Sequence, residues 1–154
     1  MTTESDRGLG GEGDLRQRTL IIGGKTNKEL LAELDRLPFI RVDDGARSMI
    51  ESPNFETFPT PREINFVHVP RIKYGSVDSS GFKLLPAEAA LHYLFQHGSE
   101  LLEGEVFFVG MKPMQHAQRD SDIFRVARNR SGLFLGSNRY NISYMLGDKM
   151  IIGI

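Results

Sequence analysis

The feature that most constrains this chain is the heptapeptide at residues 105–111, which is apolar on both faces at the two-residue period of a β-strand. Val106 and Phe108 would point to one side of such a strand, and Phe107 and Val109 to the other. Because neither side tolerates water, the pattern predicts a strand in the interior of a sheet that is covered on both faces.

The predicted helices precede this strand, whereas most of the predicted strands follow it. Apolar stripes at helical spacing predict helices over residues 27–37, 43–51 and about 86–97. Short connections between the later apolar segments favour antiparallel neighbours. The sequence therefore predicts an α+β fold in which an antiparallel sheet of about five or six strands carries two or three helices on one face.

The remaining strands are predicted from alternation between turn signals, at residues 19–22, 64–69, 123–128, 133–135, 140–146 and 149–154. In the last of them Met150, Ile152 and Ile154 alternate to the end of the sequence. We interpret it as an apolar edge strand, which must be covered by a helix, the tail or a partner.

The length of 154 residues is typical of one domain. Residues 1–18 are rich in glycine and charge and predict a disordered N-terminal tail, which leaves residues 19–154 as a single domain. The absence of cysteine excludes disulfides, thiolate zinc sites and a cysteine nucleophile. Without a signal-peptide core or a membrane-length apolar segment, we expect a cytoplasmic protein with no membrane partner.

The sequence Gly23-Gly24-Lys25-Thr26 follows an apolar segment and precedes a helix, as a phosphate-binding loop does. The loop is too short to surround a phosphate, because Thr19 stands where that motif requires its first glycine. Thr26 and Glu29 instead have the spacing of a capping box. We therefore interpret the segment as a capped helix start, and the sequence predicts no cofactor.

Two groups of polar residues suggest catalysis or metal binding. His116, Asp120 and Asp122 share one predicted loop, and an imidazole with carboxylates can hold a divalent cation. Glu88 and His92 lie four residues apart on a predicted helix and can form an acid–base pair. Ordinary surface polarity explains both groups equally simply, so we assign no catalytic residue and no metal site.

A basic group lies in the C-terminal part of the chain, where seven Lys or Arg residues accompany four Asp or Glu residues from residue 105 onward. Aromatic residues Phe134, Tyr140 and Tyr144 are interspersed with it. Arginines and aromatics on a sheet can bind single-stranded nucleic acid, although the net charge of −1 gives no overall attraction. The candidate binding residues are Lys112, His116, Arg125, Arg128, Arg130 and Arg139.

Six segments carry a resemblance to known proteins, at residues 23–26, 46–55, 85–88, 104–105, 108–113 and 131–135. On these segments the chain, from Gly23 onward, resembles a group of small bacterial one-domain proteins that have no assigned activity. The resemblance implies a stand-alone domain and brings no catalytic residues.

Taken together, these patterns predict a non-catalytic cytoplasmic domain that acts through a protein–protein contact. The predicted contact surface is the outer sheet face or the strand that ends at Ile154, and a homodimer through that strand is one version. Two alternatives stay open: single-stranded nucleic-acid binding by the basic group, and a small enzyme with an unrecognised site.

Overall fold

The computed structural model describes residues 16–69, 81–117, 119–140 and 149–154, and at residues 119 and 120 it describes only the backbone. The strands are β1 (Arg18–Ile22), β2 (Ile40–Val42), β3 (Arg62–Val69), β4 (Val106–Val109), β5 (Met114–His116), β6 (Arg119–Asn129), β7 (Gly132–Arg139) and β8 (Met150–Gly153). The α-helices are α1 (Asn27–Asp35), α2 (Asp44–Glu51) and α3 (Ala89–His97), and a 3-10 turn follows at Gly98–Glu100.

These eight strands form one mixed sheet in the order β1-β3-β8-β4-β6-β7-β2, and β5 pairs with β6 beside this path. Five pairings are antiparallel, whereas β2–β7 and β4–β8 are parallel. The α+β class and the mostly antiparallel sheet are therefore confirmed. The prediction of an antiparallel sheet of about five or six strands is wrong in the number of strands and in the two parallel pairings.

Two short strands explain the undercount. β2 and β5 have three residues each, which is too few for a two-residue alternation to be recognised. β5 also lies inside a segment that we predicted as a polar loop. The parallel pairings join strands that no tight turn connects, so the argument from short connections did not apply to them.

The position of β4 confirms the prediction for the heptapeptide, because this strand pairs with β6 on one side and β8 on the other. Phe107 and Phe108 point to opposite faces and are 6% and 7% exposed. Burial of each ring stabilises the fold by about 2–3 kcal/mol. The sheet is therefore covered on both faces around β4, and only Val106, at the start of the strand, is substantially exposed.

The C-terminal strand is not an edge strand, and the prediction that it offers an open edge is wrong. β8 lies between β3 and β4, and Phe66, Val67, His68 and Val69 all have partners in it. Alternation of apolar residues signals a buried strand but carries no information about its neighbours. The edges of the main path are β1 and β2.

The helix starts form as their sequences predict. In α1 the Glu29 amide donates to Thr26 Oγ1 at 3.1 Å and the Thr26 amide donates to Glu29 Oε1 at 2.9 Å, which completes the capping box. In α2 the Ala46 amide donates to Asp43 Oδ1 at 2.7 Å. The second oxygen of Asp43 accepts from the Ser137 amide, so this cap also fixes α2 to β7.

The third helix lies against β3. The Tyr93 ring contacts the rings of Phe66 and His68 edge-on, with centroids 5.6 and 5.9 Å away. The predicted turn between β6 and β7 is also present, with Gly132 at a φ of +132°. The predicted tail before Arg16 and most of the predicted strand at residues 140–146 lie outside the described residues.

Candidate functional site

A cleft of about 420 Å³ opens between α1, α3, the start of β2 and the turn between β6 and β7. Glu33, Ser99 and Arg128 supply the polar side chains or backbone groups at its wall. Its apolar lining consists of Leu37, Phe39, Ile40, Leu94, Phe95 and Leu133.

Local sequence explains why the cleft is open on the β2 side. Pro38 follows α1, and the Ile40 amide donates to the Leu37 carbonyl at 2.9 Å, so the chain turns sharply into β2. This turn leaves the Phe39 ring 51% exposed. A Cβ on Gly132 would lie 2.5 Å from the Phe39 carbonyl oxygen, so only glycine allows β7 to approach β2 this closely.

Arg128 is the cation of this cleft. Its Nη1 donates to the carbonyl oxygens of Leu101, at 3.1 Å, and Ser99, at 3.5 Å. Both acceptors are neutral, and no carboxylate of the described residues forms a salt bridge with Arg128. Leu102, the residue after Leu101, is 63% exposed.

The structure does not gather the other predicted basic residues around Arg128. Arg125 lies three residues away on β6, so its side chain points to the opposite face, where its guanidinium stands 5.3 Å from the Phe134 ring centroid. Arg130 is 89% exposed in the turn after β6 and 3.7 Å from Glu103. Lys112 and Arg139 are exposed elsewhere on the chain.

Glu88 and His92 do meet, as their spacing predicts, but in the interior. Glu88 Oε1 accepts from His92 Nε2 at 2.9 Å and from the Gly23 amide at 3.0 Å, and Oε2 accepts from the Phe58 amide at 2.7 Å. The side chains are 0% and 6% exposed. The carboxylate thus ties the glycine loop and the connector before β3 to α3, and this geometry assigns it a structural role.

His116 is the best-connected of the predicted site residues. Its Nε2 lies 2.7 Å from Asp122 Oδ2, and its Nδ1 lies 2.8 Å from Ser48 Oγ. The imidazole is 1% exposed and the Asp122 side chain 0%, whereas Ser48 on α2 is half-buried. We call these three residues the Ser48 array.

The hairpin that carries His116 and Asp122 has an irregular backbone. The register shifts between Met114 and His116, as it does at a β-bulge. Ala117 and Ser121 have φ values of +49° and +58°, a region that costs a residue with a side chain about 1–2 kcal/mol. Ala117 immediately follows His116, and Ser121 immediately precedes Asp122.

The remaining histidines have partners within the fold. His68 Nε2 lies 2.9 Å from the Tyr93 hydroxyl, and burial raises the pKa of Tyr93 well above that of an exposed phenol. His97 contacts Arg18 and Glu100. Burial alone would raise the pKa of the Glu100 carboxyl, but its hydrogen bonds to Arg18 and His97 hold it below the usual value.

The described residues provide no set of ligands for a metal ion at His116, Asp120 and Asp122. The side chain of Asp120 is not among those described, and the described residues contain no group of three or more His, Asp or Glu side chains that could hold a metal ion. Tyr144, which we included with the basic group, also lies outside the described residues.

Sequence reasoning identified Arg128 and His116 but missed Phe39 and Ser48. Ser48 precedes its partner His116 by 68 residues, and a serine inside a helix gives no local signal of such a contact. Phe39 directly follows Pro38 and belongs to no periodic segment. Only the fold brings each of them to its site.

Comparison of this chain with protein-family models, with curated proteins and with solved structures returned no match. The resemblance to small bacterial one-domain proteins therefore stays a prediction. None of the helices in the described part of the chain has the length and apolar character needed to span a bilayer.

Proposed function

We propose that this domain binds a segment of a partner protein, and that the cleft around Arg128 is the contact site. The single observation that carries the proposal is an apolar cleft with a cation at its wall that forms no salt bridge with any described carboxylate. The expected ligand is a peptide segment in which an apolar side chain enters the cleft and a neighbouring acidic side chain reaches Arg128.

The chemistry of the lining supports this ligand. Leu94, Phe95 and Leu133 offer an apolar floor, and a buried aliphatic or aromatic anchor contributes about 1.5–3 kcal/mol. A guanidinium forms its strongest hydrogen bonds with carboxylates, and here its described acceptors are only two carbonyls. An anchor followed by a carboxylate satisfies both halves of the site.

The surroundings of the cleft favour a protein over a small molecule. Phe39, which lines the cleft, is 51% exposed, and Leu102, next to the residue whose carbonyl accepts from Arg128, is 63% exposed. Exposed large apolar side chains near a cleft are typical of protein-binding surfaces. We also propose that all three helices lie on the sheet face that carries Leu133, whereas the side chain of Arg125 lies on the other face.

A random peptide library displayed on phage tests the proposal. We expect wild-type protein to enrich peptides with an apolar residue close to Asp or Glu. Synthetic copies of these peptides should bind Arg128→Ala about 10–100-fold more weakly, because a charge-assisted hydrogen bond is worth about 1.5–3 kcal/mol. Fluorescence anisotropy measures the affinity.

Two exposed apolar positions provide matched variants. Phe39→Ser should weaken binding of the selected peptides, whereas Leu84→Ser should not, since Leu84 is 43% exposed beside the far end of β4. The proposal is wrong if the library yields no enriched peptides, or if enriched peptides bind Phe39→Ser and Arg128→Ala as tightly as the wild type.

A further inference from the structure

We propose that the Ser48 array is a hydrolytic site for carboxylic esters, in which Ser48 is the nucleophile and His116 is its general base. The proposal rests on the two hydrogen bonds that join Ser48, His116 and Asp122 in series. A serine, an imidazole and a carboxylate in this order are the groups that activate a hydroxyl for attack on an acyl carbon.

The hydrogen bonds determine which nitrogen of His116 carries the proton. A carboxylate can only accept, so Asp122 Oδ2 requires a proton on Nε2, 2.7 Å away. In the neutral ring Nδ1 then carries no proton, and its lone pair faces Ser48 Oγ, with 2.8 Å between the two atoms. Asp122 is therefore a positioning residue, and Nδ1 is the base that takes the serine proton.

The exposure of the three residues in the array is suited to this chemistry. The imidazole and the carboxylate are 1% and 0% exposed, so water does not compete for their hydrogen bonds. Ser48 is half-buried and is thus the member that a substrate can reach. Ser48 is therefore the most exposed residue of the array, and the proposed base and its orienting group are more deeply buried.

The second histidine–carboxylate pair of the fold shows how a purely structural pair differs. Glu88 uses both oxygens to accept from the backbone amides of Gly23 and Phe58, which links three segments of chain. In the other pair, the imidazole nitrogen of His116 that does not contact Asp122 contacts the hydroxyl of Ser48 instead. The two pairs therefore have different chemistry in the same core.

The irregular hairpin provides independent support. Ala117 and Ser121 adopt left-handed backbone conformations on either side of the turn, at a combined cost of about 2–4 kcal/mol. Glycine at these two positions would avoid this cost. Bulges and left-handed residues concentrate at active sites, where they aim side chains, and here they flank His116 and Asp122.

The proposed reaction has two steps. Ser48 Oγ attacks the ester carbonyl carbon while its proton moves to His116 Nδ1, and the bond from that carbon to the alcohol oxygen breaks as the alcohol takes the proton from Nδ1. Water then attacks the acyl-serine and gives its proton to Nδ1. The carboxylic acid leaves as Ser48 Oγ recovers the proton.

This site is separate from the cleft around Arg128. Asp122 and Arg128 both belong to β6, and the six residue steps from one to the other span about 20 Å of extended chain. Loss of one site leaves the other intact, so the two proposals are tested independently.

A fluorophosphonate probe tests the hydrolytic proposal, because it forms a bond only with an activated serine hydroxyl. We expect mass spectrometry to find the probe on Ser48, at a rate on the order of 100-fold above that of Ser131. Ser131 is exposed in the turn after β6 and serves as the internal control. His116→Gln should lower labelling of Ser48 to the level of Ser131.

A second variant covers the case in which His116→Gln does not fold. Because the chain has no cysteine, Ser48→Cys and Ser131→Cys each introduce a single thiol. An adjacent imidazole promotes thiolate formation, so iodoacetamide should alkylate Ser48→Cys about ten-fold faster than Ser131→Cys at neutral pH, despite its lower exposure. A thiol that is merely buried reacts more slowly than the exposed one.

The outcomes of these experiments either support the proposal or overturn it. Preferential labelling of Ser48 that disappears in His116→Gln, or faster alkylation of Ser48→Cys, supports the proposal. Labelling of Ser48 no faster than that of Ser131, or slower alkylation of Ser48→Cys than of Ser131→Cys, overturns it and reduces the array to a link between α2 and the β5–β6 hairpin.

Discussion

Glu88→Gln tests the buried hydrogen bonds of Glu88, because it replaces one carboxylate oxygen with an NH2 group and hardly changes the volume of the side chain. Both carboxylate oxygens of Glu88 accept from backbone amides, Oε1 from Gly23 and Oε2 from Phe58. A glutamine has one oxygen and one NH2 group. In either orientation of the amide, the NH2 group faces a backbone donor, and one buried N–H loses its acceptor.

The cost follows from the individual bonds. A buried donor left without an acceptor costs about 1–3 kcal/mol, and the bonds that remain lose about 1 kcal/mol because they are no longer charge-assisted. We expect Glu88→Gln to lower the free energy of unfolding by about 3 kcal/mol. For a chain of this size, that corresponds to a fall in Tm of about 6–12 °C.

Urea denaturation followed by circular dichroism measures this change. Glu56→Gln is the matched control, since Glu56 is exposed in the same connector as Phe58, and we expect its effect to stay within about 0.5 kcal/mol. If Glu88→Gln is as stable as Glu56→Gln, the assignment of Glu88 as the buried acceptor for two chain segments is incorrect.

Three further predictions concern pH, turns and capping. Because burial raises the pKa of Tyr93, the stability that its neutral form contributes is complete below about pH 10 and falls at higher pH. Alkaline unfolding monitored by tyrosinate absorbance should show this loss of stability, and Tyr93→Phe should remove the contribution of Tyr93 to it. Gly132→Ala should cost about 3 kcal/mol or more, because it combines a φ of +132° with a Cβ clash, whereas Gly104→Ala, with open space at a φ of +91°, should cost only about 1–2 kcal/mol in thermal melts. Thr26→Ala should lower the free energy of unfolding by about 1 kcal/mol in urea, since it removes the side-chain half of the α1 capping box.

Local signals in the sequence predicted local structure well. The two-faced apolar pattern of β4 and the Thr26–Glu29 spacing each have one physical solution, and both solutions are present. The number of strands and the neighbours of β8 were not predicted correctly. Ile40 and His116 lie in strands of three residues, and the pairing of β8 with β3 and β4 depends on contacts between segments that are far apart in sequence.

The candidate sites show the same division. His116 and Asp122 were grouped because they are close in sequence, and they do contact each other. Arg125 and Arg128 were grouped for the same reason, but the pleat of β6 separates them onto opposite faces. Ser48 and Phe39 could not be found, because their roles depend on α2 and β2 approaching segments more than 60 residues later in the chain.

The position of β8 has a consequence for the order in which the sheet assembles. β1 and β3 form one antiparallel block, β4 to β7 with β2 form another, and β8 is the strand that joins them. Because β8 follows the other described strands in the sequence, each block has an open edge until β8 pairs with β3 and β4. Folding should therefore be slow and late, and removal of residues 150–154 should leave two unjoined half-sheets that associate with other chains.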